Sequence, residues 1–315
     1  MTEPLVYLNG QFVPASAARV AIFDAGFVFG ATVSDQARTF HLRPFRLSDH
    51  VHRLFRALQY ARLEIGLTPA DLISISEELI DRNSQLVEEG DELGLIHFVT
   101  PGEFEAFANS PARTTPTVCA HTFVLPFERW ARKVQTGAHL VTPSIRHVPP
   151  QCLDPKMKCR SRMHFYLAEK EAQLVDPDAS ALLLDIGGNV AETSAANFLM
   201  VERGTIVSPT TRNSLPGVSR ATVAELAGDL GIPFVEHDIQ LFDAINAEEA
   251  FLTSTPYCLM PVTKINGVAV GDGSPGPVYL RLLDAWSRLV GLNLQQQILE
   301  GAARHLAPKG PHGTR

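Results

Sequence analysis

Strand-like and helix-like segments alternate in both halves of this chain, and this alternation most constrains the fold that it can adopt. In the first half, a hairpin signal at Asn9-Gly10, a pair suited to a type I′ turn, precedes apolar residues at helical spacing over 48–67. In the second half, an apolar strand over 181–186 precedes an amphipathic helix over 219–230. The pattern predicts an α/β (α+β) fold of two domains, with a cleft between them as the ligand site.

The turn-like stretch at Pro126–Trp130 predicts the boundary between the two domains. We expect a small N-terminal α/β domain over 1–125, a linker over 126–136, a larger C-terminal domain over 137–306 and a disordered tail over 307–315. The remaining predicted elements are strands at 5–8, 11–13, 19–23, 93–99, 117–125, 138–142, 197–201, 205–208, 234–235 and 250–253, and helices at 69–89, 161–173, 240–245 and, last in the chain, 278–290.

Composition excludes several functional classes. The length of 315 residues and a hydrophobic content of 45% fit a soluble globular protein of one large or two ordinary domains. A net charge of −7 argues against nucleic-acid binding, and the apolar runs are too short to span a membrane. No signal peptide is expected at the N-terminus, so we expect a cytoplasmic protein. The four cysteines have no metal spacing, which predicts reduced thiols and no metal: Cys119, Cys152, Cys159 and Cys258.

Lys158 lies in a basic segment, Asp154–Arg162. A lysine that forms a Schiff base must lose its proton near neutral pH, and both partial burial and cationic neighbours lower its pKa. Lys156, Arg160 and Arg162 supply such neighbours. Taken alone, however, the segment fits an exposed basic turn before a helix better, because lysine and arginine are mostly exposed.

Three further segments carry groups that suit a phosphorylated cofactor. Glu192 starts a strand beside small residues, where a carboxylate can hydrogen-bond a pyridine nitrogen. The turn Gly217–Ser219 opens a helix, whose free N–H groups attract an anion. Arg53 presents a guanidinium fork, and the 253–255 stretch offers hydroxyl and amide donors. Each has an ordinary structural alternative: a surface strand carboxylate, a capped helix start, an exposed arginine and a polar turn.

The order and spacing of these segments are more specific than any one of them. Together they resemble the fold-type IV pyridoxal phosphate enzymes, the class IV aminotransferases. That family includes branched-chain aminotransferases, D-amino acid aminotransferases, (R)-selective amine transaminases and aminodeoxychorismate lyases. The resemblance runs from about Tyr7 to about Trp286 and rests on Leu8-Asn9-Gly10, Asp24–Gly30, His50–Leu54, Lys158 before Leu167-Ala168, Glu192 to Asn197 as E-x-S-x-x-N, Leu215–Arg220 as L-x-G-[IV]-[TS]-R, Phe251–Thr255, Ile265–Gly267 and Gly276–Val278.

The resemblance implies a fold, a cofactor and roles for named residues. It implies two domains with pyridoxal 5′-phosphate between them and active sites that are completed across a homodimer interface. Lys158, favoured over Lys156 by its spacing, inherits the Schiff-base role and catalysis, and Glu192 inherits the bond to the pyridine nitrogen. The remaining inherited roles are packing on the ring by Leu215 and binding of the phosphate by Arg53, Val218, Ser219, Ser254 and Thr255.

The residues expected on the substrate side depart from each subfamily. Phe29 and Met163 stand where branched-chain enzymes carry tyrosines, and His97 lies near the arginine that binds the substrate carboxylate in some members. Arg38 is shared by branched-chain enzymes and lyases. Arg162 and the pair Ala195-Ala196 resemble lyases, whereas Gln36 replaces a lyase threonine. We therefore expect Phe29, Arg38, His97 and Arg162 at the substrate.

Three functions remain open from the sequence. The first is an aminotransferase that moves an amino group from an amino acid, branched-chain-like, or an amine to a 2-oxo acid. The second is a lyase of the aminodeoxychorismate type that releases pyruvate. The third is a non-catalytic homologue that binds the cofactor, which the presence of Lys158, Glu192 and Arg53 together disfavours.

Overall fold

In the computed structural model, the first half of the chain forms an antiparallel sheet. The structure describes residues 3–108, 111 and 113–307. Asn9 and Gly10 both have positive φ, as the predicted type I′ hairpin requires. The strands are β1 (Leu5–Leu8), β2 (Gln11–Pro14), β3 (Val33–Phe40), β4 (Arg43–Phe45), β5 (Leu93–Thr100) and β6 (Thr117–Val124). They pair in the order β2-β1-β6-β5-β3-β4.

Two long helices pack on this sheet, preceded in the chain by the short helix α1 (Ala25–Val28). Helix α2 (Leu47–Ala61) buries an apolar face, while helix α3 (Pro69–Ser84) starts with a capping box between Thr68 and Asp71 and with proline at its first position. Both helices end earlier than predicted. In α2 the reason is visible, because Arg62 adopts the left-handed conformation just after the last turn.

The second half forms a larger sheet that closes on itself. Its strands are β7 (Ala138–Val141), β8 (Ser180–Leu184), β9 (Val190–Thr193), β10 (Asn197–Glu202), β11 (Thr205–Ser208), β12 (Phe234–Glu236), β13 (Glu249–Ser254), β14 (Cys258–Ile265) and β15 (Val268–Ala269). The order is β12-β11-β10-β13-β14-β7-β8-β9, and β9 also pairs with β10 through Glu192 and Asn197. This last pairing closes a ring of strands and places Glu192 directly beside Asn197.

Six helices accompany the second sheet. They are α4 (Ala131–Thr136), α5 (Met163–Val175), α6 (Val218–Asp229), α7 (Leu241–Ile245), α8 (Pro277–Val290) and α9 (Leu294–Leu306). Within the described residues, no helix is both long enough and apolar enough to cross a bilayer.

The two sheets share hydrophobic clusters. Phe40 at the end of β3 packs in a group of buried residues that otherwise comes from the second half, including Leu199 and Trp286. The stretch predicted as a linker, 126–136, contains a 3-10 turn at Phe127–Arg129 and helix α4, and Phe127 is fully buried. The domain boundaries themselves remain a prediction.

Two predicted elements are wrong. The strand expected over 19–23 is absent, because this segment runs as turns and irregular backbone, with Val20 and Ile22 exposed. Helix 278–290 is not the last, because α9 follows it. The buried positions of α9, which are Leu294, Ile298, Gly301 and Ala302, lie at helical spacing, so the sequence contained a signal for this helix that was not recognised. The tail predicted over 307–315 lies, from 308 onwards, outside the described residues.

Two helical glycines make a matched test of this packing. A methyl group on Gly301 would overlap the buried ring of Phe127, whereas a methyl group on Gly228 in α6 would meet no atom within 4 Å. We therefore expect Gly228→Ala to stabilise the protein by about 0.5–1 kcal/mol, the helix-propensity gain of alanine. Gly301→Ala should lose stability by about 1–3 kcal/mol, as overpacking does. Urea unfolding of the two variants measures both, and shifts of the same sign would contradict the described docking of α9.

Candidate active site

A cavity of about 410 Å³ lies between the two halves of the chain. The first half contributes β3 and helix α2, and the second half contributes the segment before α5, strand β9 and the N-terminus of α6. The cavity brings together these predicted site residues: Arg53, Lys158, Arg162, Glu192, Leu215, Val218, Ser219, Ser254 and Thr255.

The backbone around Lys158 is held as an extra strand beside the start of β3. Ser34 N–H donates to the carbonyl of Lys158 (2.8 Å), and Arg160 N–H donates to the carbonyl of Thr32 (2.9 Å). A β-bridge joins Val33 to the residue between them. This pairing connects the segment of the second half that carries the lysine to the sheet of the first half.

The amino group of Lys158 is adapted for chemistry near neutral pH. Burial, and then the positive charges of Arg53 and Arg162, lower its pKa to about 8, although Asp35 and Glu192 oppose the shift. In the described part of the chain no hydrogen bond or ion pair engages its Nζ. Lys156, the alternative lysine, lies outside the cavity, with its Nζ 3.8 Å from Asp154.

Glu192 is a buried carboxylate in strand β9. Its Oε2 accepts hydrogen bonds from Asn197 Nδ2 (3.3 Å) and from the backbone N–H of Leu215 (3.2 Å). Its Oε1 lies 3.4 Å from Nε2 of His147. The side chain is therefore fixed in the cavity wall, where its carboxylate can accept a hydrogen bond from a protonated ring nitrogen.

The N-terminus of α6 opens onto the cavity. Its N-cap is Gly217, so no side chain caps the helix among the described residues, and the N–H groups of the first turn are available to an anion. A side chain at Gly217 would overlap Oδ1 of Asn197, which explains why the close approach here needs glycine. Arg53 Nη1 donates to the carbonyl of Pro216 (3.1 Å), which brings its positive charge to the same place.

Asp35 holds Arg53 in this position, a role that the sequence analysis missed. Arg53 Nε donates to Oδ2 of Asp35 and Nη2 donates to Oδ1, both at 2.8 Å, and His50 Nδ1 lies 2.8 Å from Oδ1. Burial alone would raise the pKa of Asp35, but Arg53 and His50 outweigh it and hold the pKa well below its usual range. The available signal was His50, which lies three residues before Arg53 and therefore on the same helix face.

The two predicted hydroxyl donors, Ser254 and Thr255, differ in whether the hydroxyl already makes a hydrogen bond within the protein. Ser254 Oγ donates to the carbonyl of Ala195 (2.6 Å), so its proton is already used. Thr255 lines the cavity, and no contact of its hydroxyl is found in the described part of the chain. Thr255 is therefore the better placed of the two to donate to a ligand.

Arg38 does not line the cavity, contrary to its expected place at the substrate. It is only 2% exposed, and its guanidinium donates to the carbonyls of Thr39 and Pro256 and to Oε1 of Gln297. It also lies over the ring of Phe40, 3.9 Å from the centroid. Arg38 thus joins strand β3 to the second half as a packing residue.

His97 and Phe29 are also placed away from the cavity. Strand alternation directs His97 to the helix side of the first sheet, where Nε2 lies 2.7 Å from Oγ of Ser76 and burial lowers its pKa to about 4. Phe29 is 58% exposed and meets Phe104 edge-on, with ring centroids 4.9 Å apart. Neither contact brings these side chains to the substrate side of Lys158.

Two histidines that the sequence did not single out do line the cavity. The rings of His147 and His164 are 5.5 Å apart, and burial, His147 and Arg162 lower the pKa of His164 to about 4. No motif marks them, because they lie in irregular backbone and at the start of α5. Within the described ranges, no group of three His, Cys, Asp or Glu side chains is arranged to hold a metal.

Comparison with known proteins places the chain in a family. The profile described as Amino-transferase class IV matches residues 32–265. A putative branched-chain-amino-acid aminotransferase of Methanocaldococcus jannaschii is 28% identical over 278 residues, which cover 88% of this chain and 93% of the relative. A D-alanine aminotransferase of Bacillus licheniformis is 28% identical over 300 residues, which cover 95% and 99%.

A solved structure shows the same fold. The T.th. branched-chain amino acid aminotransferase, solved with pyridoxamine 5′-phosphate, superposes with a TM-score of 0.81 at 28% identity, covering 96% of this chain and 98% of the other. The residues of this chain fit pyridoxal 5′-phosphate, because the uncapped α6 N-terminus beside Arg53 suits a phosphate and Lys158 suits an aldehyde. The chain belongs to the class IV aminotransferase family, a family of fold-type IV transaminases that use pyridoxal 5′-phosphate.

Proposed function

We propose that this protein is an aminotransferase that uses Lys158 to move an amino group from an amino acid, branched-chain-like, or an amine to a 2-oxo acid. The observation that carries the proposal is one cavity in which Lys158, with its pKa lowered to about 8, lies together with Glu192 and the free N-terminus of α6. The names of the relatives, branched-chain and D-alanine aminotransferases, support an amino acid donor.

Each group in the cavity has a task in this proposal. Pyridoxal 5′-phosphate supplies, when bound, a ring that withdraws electrons from the carbon next to the substrate nitrogen. The α6 N–H groups, Arg53 and Thr255 bind the phosphate, and Asp35 keeps Arg53 aimed at it. Glu192 holds a proton at the ring nitrogen, and Leu215 packs on the ring.

Lys158 moves the proton that transamination requires. A general acid/base works best when its pKa is close to the working pH, because both protonation states are then populated. Burial and the neighbouring arginines bring Lys158 into that range. Once its Nζ is released by the incoming amine, Lys158 can take the proton from the substrate carbon and return it to the cofactor side.

A lyase that releases pyruvate is the second candidate. It is favoured by Arg162, which lines the cavity and stands where the lyases carry arginine, and by Ala195 and Ala196, which line the cavity beside Glu192. The relatives are named aminotransferases, which favours an aminotransferase over a lyase. A homologue that binds the cofactor without catalysis is the third candidate, and the lowered pKa of Lys158 argues against it.

We also propose that two copies assemble with their active sites near the interface. Exposed apolar side chains, here called the apolar patch, occur on the segments around Gly30 and Ser161, which are joined by a hydrogen bond from Ser161 Oγ to the carbonyl of Gly30 (2.8 Å), and at Phe107. The patch consists of Phe27, Phe29, Phe107, Met163 and Tyr166, each more than half exposed. Exposed apolar surface of this kind is typical of an interface between proteins.

The proposed location is the cytoplasm. All four cysteines are free thiols: Cys119, Cys152, Cys159 and Cys258. Free thiols that form no disulfide are characteristic of a reducing compartment, which supports the proposal.

Amino donor given alone should distinguish the candidate reactions. For an aminotransferase, the absorbance of the bound cofactor should change from the pyridoxal to the pyridoxamine form, and a 2-oxo acid should reverse it. Lys158→Ala should abolish the change, while Lys156→Ala, outside the cavity, should retain it. Release of pyruvate from aminodeoxychorismate with the pyridoxal form retained would favour the lyase, and no change with any donor would favour the non-catalytic homologue.

The pKa of Lys158 predicts a pH dependence. Its neutral Nζ is the form that reacts with the cofactor aldehyde, so incorporation of pyridoxal 5′-phosphate into cofactor-free protein should accelerate with pH and level off above a midpoint of about 8. Arg162→Gln removes a positive charge that lowers the pKa of Lys158, so the pH midpoint should rise. Stopped-flow absorbance measures the rate, and a rate that still rises steeply at about pH 10, the range of an ordinary lysine, would contradict the assignment.

The apolar patch predicts the effect of a charge introduced at its most exposed residue. Phe27 is 77% exposed in the patch, whereas Leu174 is 87% exposed at the far end of α5. Phe27→Asp should shift the protein from dimer to monomer, because a carboxylate would be buried in an apolar interface. Leu174→Asp should leave the dimer intact. Light scattering after size-exclusion chromatography gives the mass, and an unmodified protein that is already monomeric would refute the proposed assembly.

A further inference from the structure

Arg160 and Arg162 are two cations in the cavity to which the proposed chemistry assigns no ligand. Both line the cavity with Lys158. Among the described residues neither guanidinium makes a hydrogen bond or an ion pair, and the one contact found is the stacking of Arg162 over the ring of Phe165, 4.7 Å from the centroid. Arg160 is exposed and Arg162 is half-buried, so solvent rather than protein satisfies their donors, and a ligand in the cavity can replace that water.

The backbone places these arginines beside the reacting nitrogen. The 158–160 segment is extended and pairs with the start of β3. Side chains two residues apart in an extended segment project to the same side, so Arg160 follows Lys158 along one wall of the cavity. Arg162 follows two residues later as the N-cap residue of α5. A substrate whose nitrogen replaces that of Lys158 would therefore lie next to this pair.

The electrostatics of the pair favour an anion. Burial, followed by the charge of Arg162, lowers the pKa of Arg160, so the two cations repel each other. Arg162 also lies at a helix N-terminus, where a positive charge is unfavourable. An anion bound between the guanidinium groups would remove both penalties.

The nearby protein carboxylates are otherwise engaged. Asp35 is bound by Arg53 and His50, and Glu192 is bound by Asn197 and the backbone of Leu215. Glu169 accepts hydrogen bonds from Ser194 and from the backbone N–H of Ala181. Glu192 and Glu169 still attract the charge of Arg162 at a distance, but neither forms an ion pair with it among the described residues, so the guanidinium donors remain open to a ligand.

We propose that Arg160 and Arg162 bind a carboxylate of the substrate and select carboxylate-bearing donors and acceptors over simple amines. The inference rests on the proposed aminotransferase function and deepens it. It assigns recognition of the substrate to Arg160 and Arg162 in place of Arg38 and His97. Arginine suits this task, since its planar fork can donate two parallel hydrogen bonds to a carboxylate.

Binding of a carboxylate that cannot react tests the pair directly. Glutarate, which has no amino group, is titrated calorimetrically into the cofactor-loaded protein and into Arg160→Gln, Arg162→Gln and Arg162→Lys. The affinity should fall about 10- to 100-fold in each glutamine variant, the range for a lost charge-assisted hydrogen bond, and less in Arg162→Lys. Lys156→Gln, which removes the same charge outside the cavity, is the matched control and should bind glutarate as the unmodified protein does.

Turnover with paired donors tests selectivity. Alanine, as either enantiomer, is compared with 2-aminopropane, which has a methyl group in place of the carboxylate. Arg160→Gln should lose kcat/KM for alanine about 10-fold or more while its kcat/KM for 2-aminopropane stays level or rises, because only alanine has the group that the arginines bind. Arg162→Gln is compared by glutarate binding alone, because Arg162 also lowers the pKa of Lys158. Cofactor absorbance confirms that each variant is loaded.

The outcomes separate this inference from the proposed function. The arginine pair does not recognise the carboxylate if the unmodified protein converts its cofactor with amino donors but the glutamine variants bind glutarate normally. The same conclusion follows if Arg160→Gln loses turnover of both donors equally. If no donor converts the cofactor while glutarate binding still depends on both arginines, the proposed reaction fails and the carboxylate site stands.

Discussion

The short pairing between the 158–160 segment and the start of β3 is the constraint on which the site depends. Two backbone hydrogen bonds, from Ser34 to Lys158 and from Arg160 to Thr32, tie a loop of the second half to the sheet of the first half. The same strand β3 carries Asp35, which positions Arg53. The positions of Lys158 and Arg53 are thus set by neighbouring residues at the start of one strand, so their relative position follows from the pairing register.

The charges in the cavity are ordered along its length. One end is positive, with the α6 N-terminus and Arg53, and that charge is partly balanced by Asp35. Burial, and then the positive charges of Arg53 and Arg162, lower the pKa of Lys158 in this cavity. A buried cation is costly unless it is paired, so a site with several of them is prepared for a ligand with more than one anionic group.

The sequence predicted the parts of the site that short linear motifs encode. Lys158, Glu192 and the turn before α6 could be found because each lies at a fixed distance from the others along the chain. Asp35 was missed, since it acts through Arg53 across a strand and a helix, and His50 was its one signal. The burial of Arg38 was equally hidden, because its partner Gln297 lies on α9, a helix that was not recognised although its buried residues lie at helical spacing. Linear spacing thus recovers groups that line one cavity, and it misses groups that contact one another across elements.

The burial of Arg38 has a consequence for how substrates reach the site. Its guanidinium spans the junction, bound on one side to Thr39 of β3 and on the other to Pro256 and Gln297. Rotating one half of the chain away from the other would strip a buried cation of its acceptors, at a cost of several kcal/mol. Rigid-body opening is therefore an expensive route, and we expect exchange of substrate and product to proceed through small movements of side chains and loops at the cavity entrance while the two halves stay docked.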